Sequence, residues 1–180
     1  MIKNTQILVL LLTFLTTTSV FPQTYSFENN KVPDNWEIDK GTINTTRNKY
    51  KAGKQSLQIN WKQGAVLTLT TPNGLSEACK SKNGGINTWI YNESPTEEPM
   101  IFLFKDSKGK EVCQLPFLLN FKGWRCIWAK FQNDMNMPAK SNINTVELHF
   151  PQHTSKGITY IDLLEFTPRV SWQNMSDAQY

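Results

Sequence analysis

The sequence has little from which an enzyme is ordinarily built. Its 180 residues include two histidines, His149 and His153, flanking Phe150-Pro151 at a spacing that defines neither a metal triad nor a Ser/His pair. It has no G-x-S-x-G elbow, no H-E-x-x-H zinc helix, no phosphate loop and no dinucleotide fingerprint. Cysteine is scarce as well: Cys79, Cys113 and Cys126 are an odd count without C-x-x-C spacing, so at most one internal disulfide can form. That argues against a disulfide-stapled scaffold and for cysteines buried as small apolar side chains. Sustained helical periodicity is missing, and beyond the first segment no apolar run approaches the roughly 20 residues that span a bilayer.

That first segment has the three-part order of a signal peptide. Met1-Ile2-Lys3-Asn4 is a short basic start, Ile7 to Leu15 is apolar but too brief to cross a membrane, and small residues follow at Thr16 to Ser19. Residues 1–23 are therefore expected to be removed, with cleavage between Ser19 and Thr24, leaving a secreted or periplasmic protein. Taking Lys3 from the 19 basic residues leaves 18 against 15 acidic ones, a charge of +3. So small an excess is a slight bias toward acidic partners. Neither nucleic acid nor, after signal removal, a membrane is an expected partner.

What is present is alternation of period two. Gln55 to Trp61 puts Leu57, Ile59 and Trp61 on one face, and after a turn at Gly64, Ala65 to Thr71 puts Leu67 and Leu69 together. Ile86 to Asn92 and Met100 to Lys105 are rich in aromatic and β-branched residues. Asp106-Ser107-Lys108-Gly109 closes a hairpin onto Val112 to Leu119. Phe121 to Phe131, with two tryptophans, is expected as a central strand; Val146 to Phe150 and Thr159 to Phe166 complete the set, and Leu75 to Lys80 adds one helical turn. About ten short strands, the eight placed above among them, without covering helices predict an all-β, two-sheet antiparallel sandwich, a jelly roll, over residues 24–168. Residues 169–180, where the alternation stops, read as a tail toward another domain.

Several segments, in order, resemble the N-terminal domain of the chondroitin sulfate ABC lyases, polysaccharide lyases acting on chondroitin and dermatan sulfates. Trp89-Ile90-Tyr91-Asn92-Glu93-Ser94-Pro95 is similar to the family's W-[IL]-Y-N-E-K-P, Phe121-Lys122-Gly123-Trp124-Arg125 to F-T-G-W-R, and Tyr160-Ile161-Asp162 to Y-I-D before an apolar strand. Gln55-Ser56-Leu57 with Trp61-Lys62 matches an early Q-S-L…W-K strand, and Trp172 with Ser176-Asp177 resembles W-S-D, with Gln173-Asn174-Met175 intervening. The resemblance covers roughly Tyr25 to Tyr180. It implies a galactose-binding or carbohydrate-binding-module-like jelly roll, joined in whole enzymes to a helical catalytic lyase domain. The family's catalytic His, Tyr, Arg and Glu lie in that helical domain and have no counterpart here.

The expected role is thus a non-catalytic accessory domain of a secreted glycosaminoglycan lyase, present without its catalytic domain; a free-standing glycan-binding module is the alternative. Sugar rings stack on exposed aromatics, and Trp36 and Tyr91, set among polar loop-like residues, are the candidates. Sulfated glycosaminoglycan would be gripped by cations, for which Lys51 and Lys54 around Gly53, and Arg125 packed on the Trp124 indole, are the candidates. The fold analogy further implies that Glu28 and Asp162, with carbonyls of the Tyr50 to Gly53 turn, could hold a structural Ca²⁺.

Overall fold

The computed structural model describes residues 24–171; the expected signal peptide, Trp172 and the Ser176-Asp177 motif lie outside the described residues. Ten strands form two five-stranded antiparallel sheets packed face to face. One sheet runs β1 (Trp36–Ile38), β4 (Val66–Thr70), β9 (Thr145–His149), β6 (Pro99–Lys105) and β7 (Glu111–Leu118). The other runs β2 (Gly41–Thr46), β3 (Ser56–Lys62), β10 (Lys156–Thr167), β5 (Gly85–Asn92) and β8 (Gly123–Lys130). Two short helices, α1 (Leu75–Lys80) and α2 (Phe131–Asp134), complete the elements among the described residues.

Alternation decides what enters the core. Leu57, Ile59 and Trp61 of β3 meet Leu67 and Leu69 of β4 and Phe102 and Phe104 of β6, all at most 1% exposed. Burying side chains of this size contributes about 1.5–3 kcal/mol each. Trp61 stacks on Phe150 with centroids 5.5 Å apart, and its indole N–H donates to Thr159 Oγ1 at 3.0 Å, so a polar atom is satisfied within the interior. Where two leucines interrupt the alternation of β10, the strand bulges between Asp162 and Glu165, with Leu163 in the left-handed region at φ 52°. Leu164 therefore points into the core while Leu163 stays outside against Trp89.

The jelly-roll expectation, the β6–β7 hairpin and the helical turn at Leu75 are all found. The turn expected at Gly64 is present and passes the chain from one sheet to the other, since β3 pairs with β2 and β10 while β4 pairs with β1 and β9. Two local expectations are corrected. The tryptophan-bearing β8 is an edge strand, paired through β5 alone, with Trp124, Cys126 and Trp128 facing outward. Phe131 leaves that strand to open α2 and drops into the core against Phe104, centroids 5.1 Å apart. Among the cysteines, Cys79 and Cys113 are buried as expected, whereas Cys126 is exposed, and all three are free thiols.

Candidate glycan-binding face

The outward face of the β2-β3-β10-β5-β8 sheet brings side chains from all five strands into register. Asn44 stands opposite Gln58, Gln58 opposite Tyr160, Tyr160 opposite Tyr91, and Tyr91 opposite Trp124. These pairings draw one row across the strands, with two amides at one end and three aromatic rings at the other. The rings meet edge-on: Tyr91 lies 5.4 Å from Trp124 and 5.7 Å from Tyr160, at interplanar angles of 72° and 85°. Tyr91 and Trp124 are half-buried and keep surface for contact, whereas Tyr160 is 6% exposed and serves as their support. Burial pushes the Tyr160 hydroxyl above its ordinary range, with the Glu93 charge adding to the effect.

The cations on this face sit over its rings. Lys49 Nζ lies 5.1 Å from the Tyr91 centroid and Lys51 Nζ 4.0 Å from that of Trp89, both within cation–π range. At the end of the aromatic row Lys122 pairs with Glu93 at 2.9 Å; the hydrogen bond lowers the carboxyl and raises the ammonium. Alongside the row, toward the Lys62 end of β3, a groove of about 490 Å³ is lined by Thr42, Asn60, Trp61, Lys62, Ser94 and Lys156.

The sequence pattern of a family described as "Lyase, N terminal" matches residues 22–180. The chain belongs to this family. As a lyase N-terminal domain it is 29% identical over 163 residues to a chondroitin sulfate ABC exolyase of Bacteroides thetaiotaomicron, covering 86% of this chain and 16% of that one. It is 25% identical over 187 residues to a chondroitin sulfate ABC endolyase of Proteus vulgaris, covering 86% and 18%. The chain thus spans less than a fifth of the length of these relatives. Among solved structures it superposes on an exo-β-agarase at TM-score 0.63, covering 83% of this chain and 25% of that one. It also superposes on a family 11 carbohydrate-binding module of Clostridium thermocellum, solved with a mixed-linked tetrasaccharide, at TM-score 0.56, covering 83% and 97%. Each of these structures is 12% identical, so the likeness is one of fold.

Of the aromatic candidates read from sequence, Tyr91 and Trp124 of the lyase N-terminal domain come together on this face, and Trp36 does not. Trp36 is 5% exposed in the core, with Tyr25 at 4.9 Å and Phe27 at 5.8 Å, and has no ring face for a sugar. Its polar neighbours in sequence point outward while β1 turns the indole in against β4. Arg125 packs its guanidinium 4.2 Å over Phe121, so the expected stack on Trp124 is replaced by one around the edge of β8. Lys51 joins the face, while Lys54 is exposed in the loop beside it. Tyr160, Gln58 and Asn44 were missed as site residues. Period two put Tyr160 on the Asp162 face of its strand, but only the register of β3, β5 and β10 shows what lies beside it.

Glu28 and Asp162 do lie near one another, as the Glu28 charge contributes to raising the Asp162 carboxyl. Their oxygens, however, face N–H donors. Asp162 Oδ2 accepts from the amides of Lys51 at 2.7 Å and Ala52 at 3.1 Å, and Oδ1 from Leu163 at 2.8 Å. Glu28 Oε1 accepts from Lys54 at 2.8 Å and Gln55 at 3.0 Å, reached because Gly53 turns the loop at φ 67°. Calcium asks for six to eight oxygens; three of the four carboxylate oxygens here already accept amide protons, so the pair fits a clamp on the 47–55 loop and leaves only Glu28 Oε2 toward a Ca²⁺ shell. Among the described residues no three His, Cys, Asp or Glu side chains group as metal ligands.

His149 has a carboxylate neighbour: its Nε2 lies 2.7 Å from Glu147 Oε2, while Lys105 Nζ lies 2.6 Å from Glu147 Oε1. Burial pushes the Glu147 carboxyl up, but the hydrogen bonds from Lys105 and His149 outweigh it and leave it below the usual range. This trio lies on the outward face of the other sheet, and both oxygens of Glu147 are engaged, so it is a hydrogen-bonded cluster across neighbouring strands. In the hairpin turn the backbone N–H groups of Lys108 and Lys110 donate to Asp106 Oδ1.

Proposed function

We propose that this lyase N-terminal domain is a non-catalytic accessory domain of a secreted or periplasmic glycosaminoglycan lyase, and that it holds the polysaccharide along the Asn44–Gln58–Tyr160–Tyr91–Trp124 row. That row is the observation that carries the reading. It joins hydrogen-bonding amides to aromatic rings in a line across the strands, which suits successive sugars of one chain. The cations above the rings favour an anionic chain, and the chondroitin sulfate ABC lyases among the relatives make chondroitin or dermatan sulfate the expected ligand. Residues 1–23 serve in this reading as the export signal. The greater length of the relatives supports a helical catalytic domain as the partner, and the apolar strip of Ile101, Leu103, Pro116 and Leu118 on the outward face of the other sheet offers it a surface. The alternative of a free-standing binding module draws on the family 11 module, 97% of which is covered by the superposition.

Retention of the purified chain on a chondroitin sulfate column tests the proposal. Tyr91→Ala and Trp124→Ala should each lower affinity about five- to tenfold, the loss expected for a stacking contact of about 1 kcal/mol. Incubation of the chain with chondroitin sulfate should form no unsaturated product absorbing in the ultraviolet. Passage of the wild-type chain without retention at low salt would overturn the proposal.

A further inference from the structure

The groove alongside the row holds two like charges in direct register. Lys62 of β3 and Lys156 of β10 are Cα partners in the antiparallel ladder, and both side chains are exposed on the outward face. Residues directly opposite in such a ladder have Cβ atoms roughly 4.5–5.5 Å apart, and like charges placed there destabilise the pair. Among the described residues neither ammonium has an ion-pair partner. The fold therefore carries two uncompensated ammoniums side by side, at the mouth of a groove of about 490 Å³.

The rest of the groove is equipped for a sugar. Asn60, on the same face and one pair further along, donates through Nδ2 to Thr42 Oγ1 at 3.0 Å and accepts at Oδ1 from the Gln58 amide at 2.9 Å. Gln58 itself belongs to the transverse row, so hydrogen-bonding groups run unbroken from the row to the two lysines. Ser94 holds the opposite wall, its hydroxyl accepting from the Ile158 amide at 3.1 Å.

We propose that Lys62 and Lys156 form an anion subsite that receives the carboxylate or sulfate of a glycan residue lying in this groove, with Asn60 and Gln58 placing the ring. One anion between the two ammoniums removes their mutual repulsion and makes two charge-assisted contacts, a gain that a neutral sugar does not provide. The subsite rests on the glycan-binding reading above and gives it a preference for acidic residues.

Binding of the full chain to chondroitin sulfate, to unsulfated chondroitin and to a neutral xylan, measured by calorimetry across a salt series, tests the subsite. The double variant Lys62→Gln/Lys156→Gln should bind chondroitin sulfate about tenfold more weakly, each exposed ion pair supplying a few-fold. It should also show a shallower salt dependence and leave weak xylan binding unchanged. Its melting temperature should equal or exceed that of the wild type, because repulsion is relieved and no contact within the fold is lost. Equal losses on sulfated and unsulfated chondroitin assign the subsite to the carboxylate, and a loss confined to the sulfated chain assigns it to the sulfate. If the double variant binds like wild type with unchanged salt dependence, the subsite is wrong while glycan binding stands. If the wild type binds none of the three, both readings fall.

Discussion

The backbone N–H of Lys51 donates to Asp162 Oδ2 at 2.7 Å, joining residues 111 apart in the chain, while the Lys51 ammonium rests 4.0 Å over the Trp89 ring. One residue thereby pins the 47–55 loop to the last strand and lays a cation on the face proposed for glycan. Asp162 is 0% exposed, and its three amide donors only partly offset the cost of burying its charge. Burial pushes its carboxyl up to about 6, from 3.8 in the absence of the fold.

A pH dependence follows from that carboxyl. Between about pH 4 and 6 the folded protein binds the Asp162 proton more firmly than the unfolded chain does, so stability falls as pH rises through this window. The difference amounts to roughly 2–3 kcal/mol when fully expressed. The melting temperature is expected to rise by about 5 °C between pH 7 and pH 5, before Glu147 and other carboxylates held below their usual range begin to protonate. Asp162→Asn should flatten this rise. A wild-type melting temperature that falls steadily from pH 7 to pH 5 would contradict the assignment.

Calcium should not stabilise the domain. Because both oxygens of Asp162 and Oε1 of Glu28 accept backbone amides, thermal unfolding in excess chelator and in millimolar Ca²⁺ is expected to coincide within about a degree. A ligand bound by the folded state alone would raise the transition with concentration. A saturable rise of several degrees with Ca²⁺ would show that the loop rearranges into a metal cage.

Gly157 should not tolerate alanine. A Cβ at this position would lie 2.1 Å from Trp61 Cζ2, so the indole would have to leave its stack on Phe150 and its hydrogen bond to Thr159. Overpacking of this kind costs about 1–3 kcal/mol. Denaturant unfolding of Gly157→Ala followed by tryptophan fluorescence should show a lowered midpoint; an unchanged midpoint would mean that the core yields more easily than its packing indicates.

The three thiols should react very differently. Cys126 is exposed on the outward face of β8, whereas burial pushes Cys79 up to about 11 and Cys113 up to about 12, leaving both as shielded neutral thiols at physiological pH. Native protein treated with a maleimide is expected to gain one adduct by mass spectrometry, and denatured protein three. Rapid native modification at all three sites would show that the sandwich opens readily around α1 and β7.

Much of this protein could be read from local pattern. The alternation in Leu57-Gln58-Ile59-Asn60-Trp61 sorts core from surface because successive side chains of a strand point to opposite faces. The bulge at Leu163-Leu164 came only with the structure, where the register shifts between Asp162 and Glu165. Trp36 shows where such reading stops: polar neighbours suggested exposure, yet contacts with Tyr25 and Phe27 bury it. Arg125 likewise was assigned to the adjacent indole, and the edge position of β8 sent it to Phe121 instead.

By itself the chain's sequence determined eight of the ten strands, the two-layer architecture and the identity of most core residues, while β1 and β2 carry too few apolar positions for alternation to mark them. Tertiary structure alone decided which strands pair and in what register. That register aligns Asn44, Gln58, Tyr160, Tyr91 and Trp124 from five separate strands, and sets Lys62 opposite Lys156 across 94 positions of sequence. Pairing between distant strands is fixed by the combined burial of both sheets, to which every strand contributes, and no local window of residues contains it.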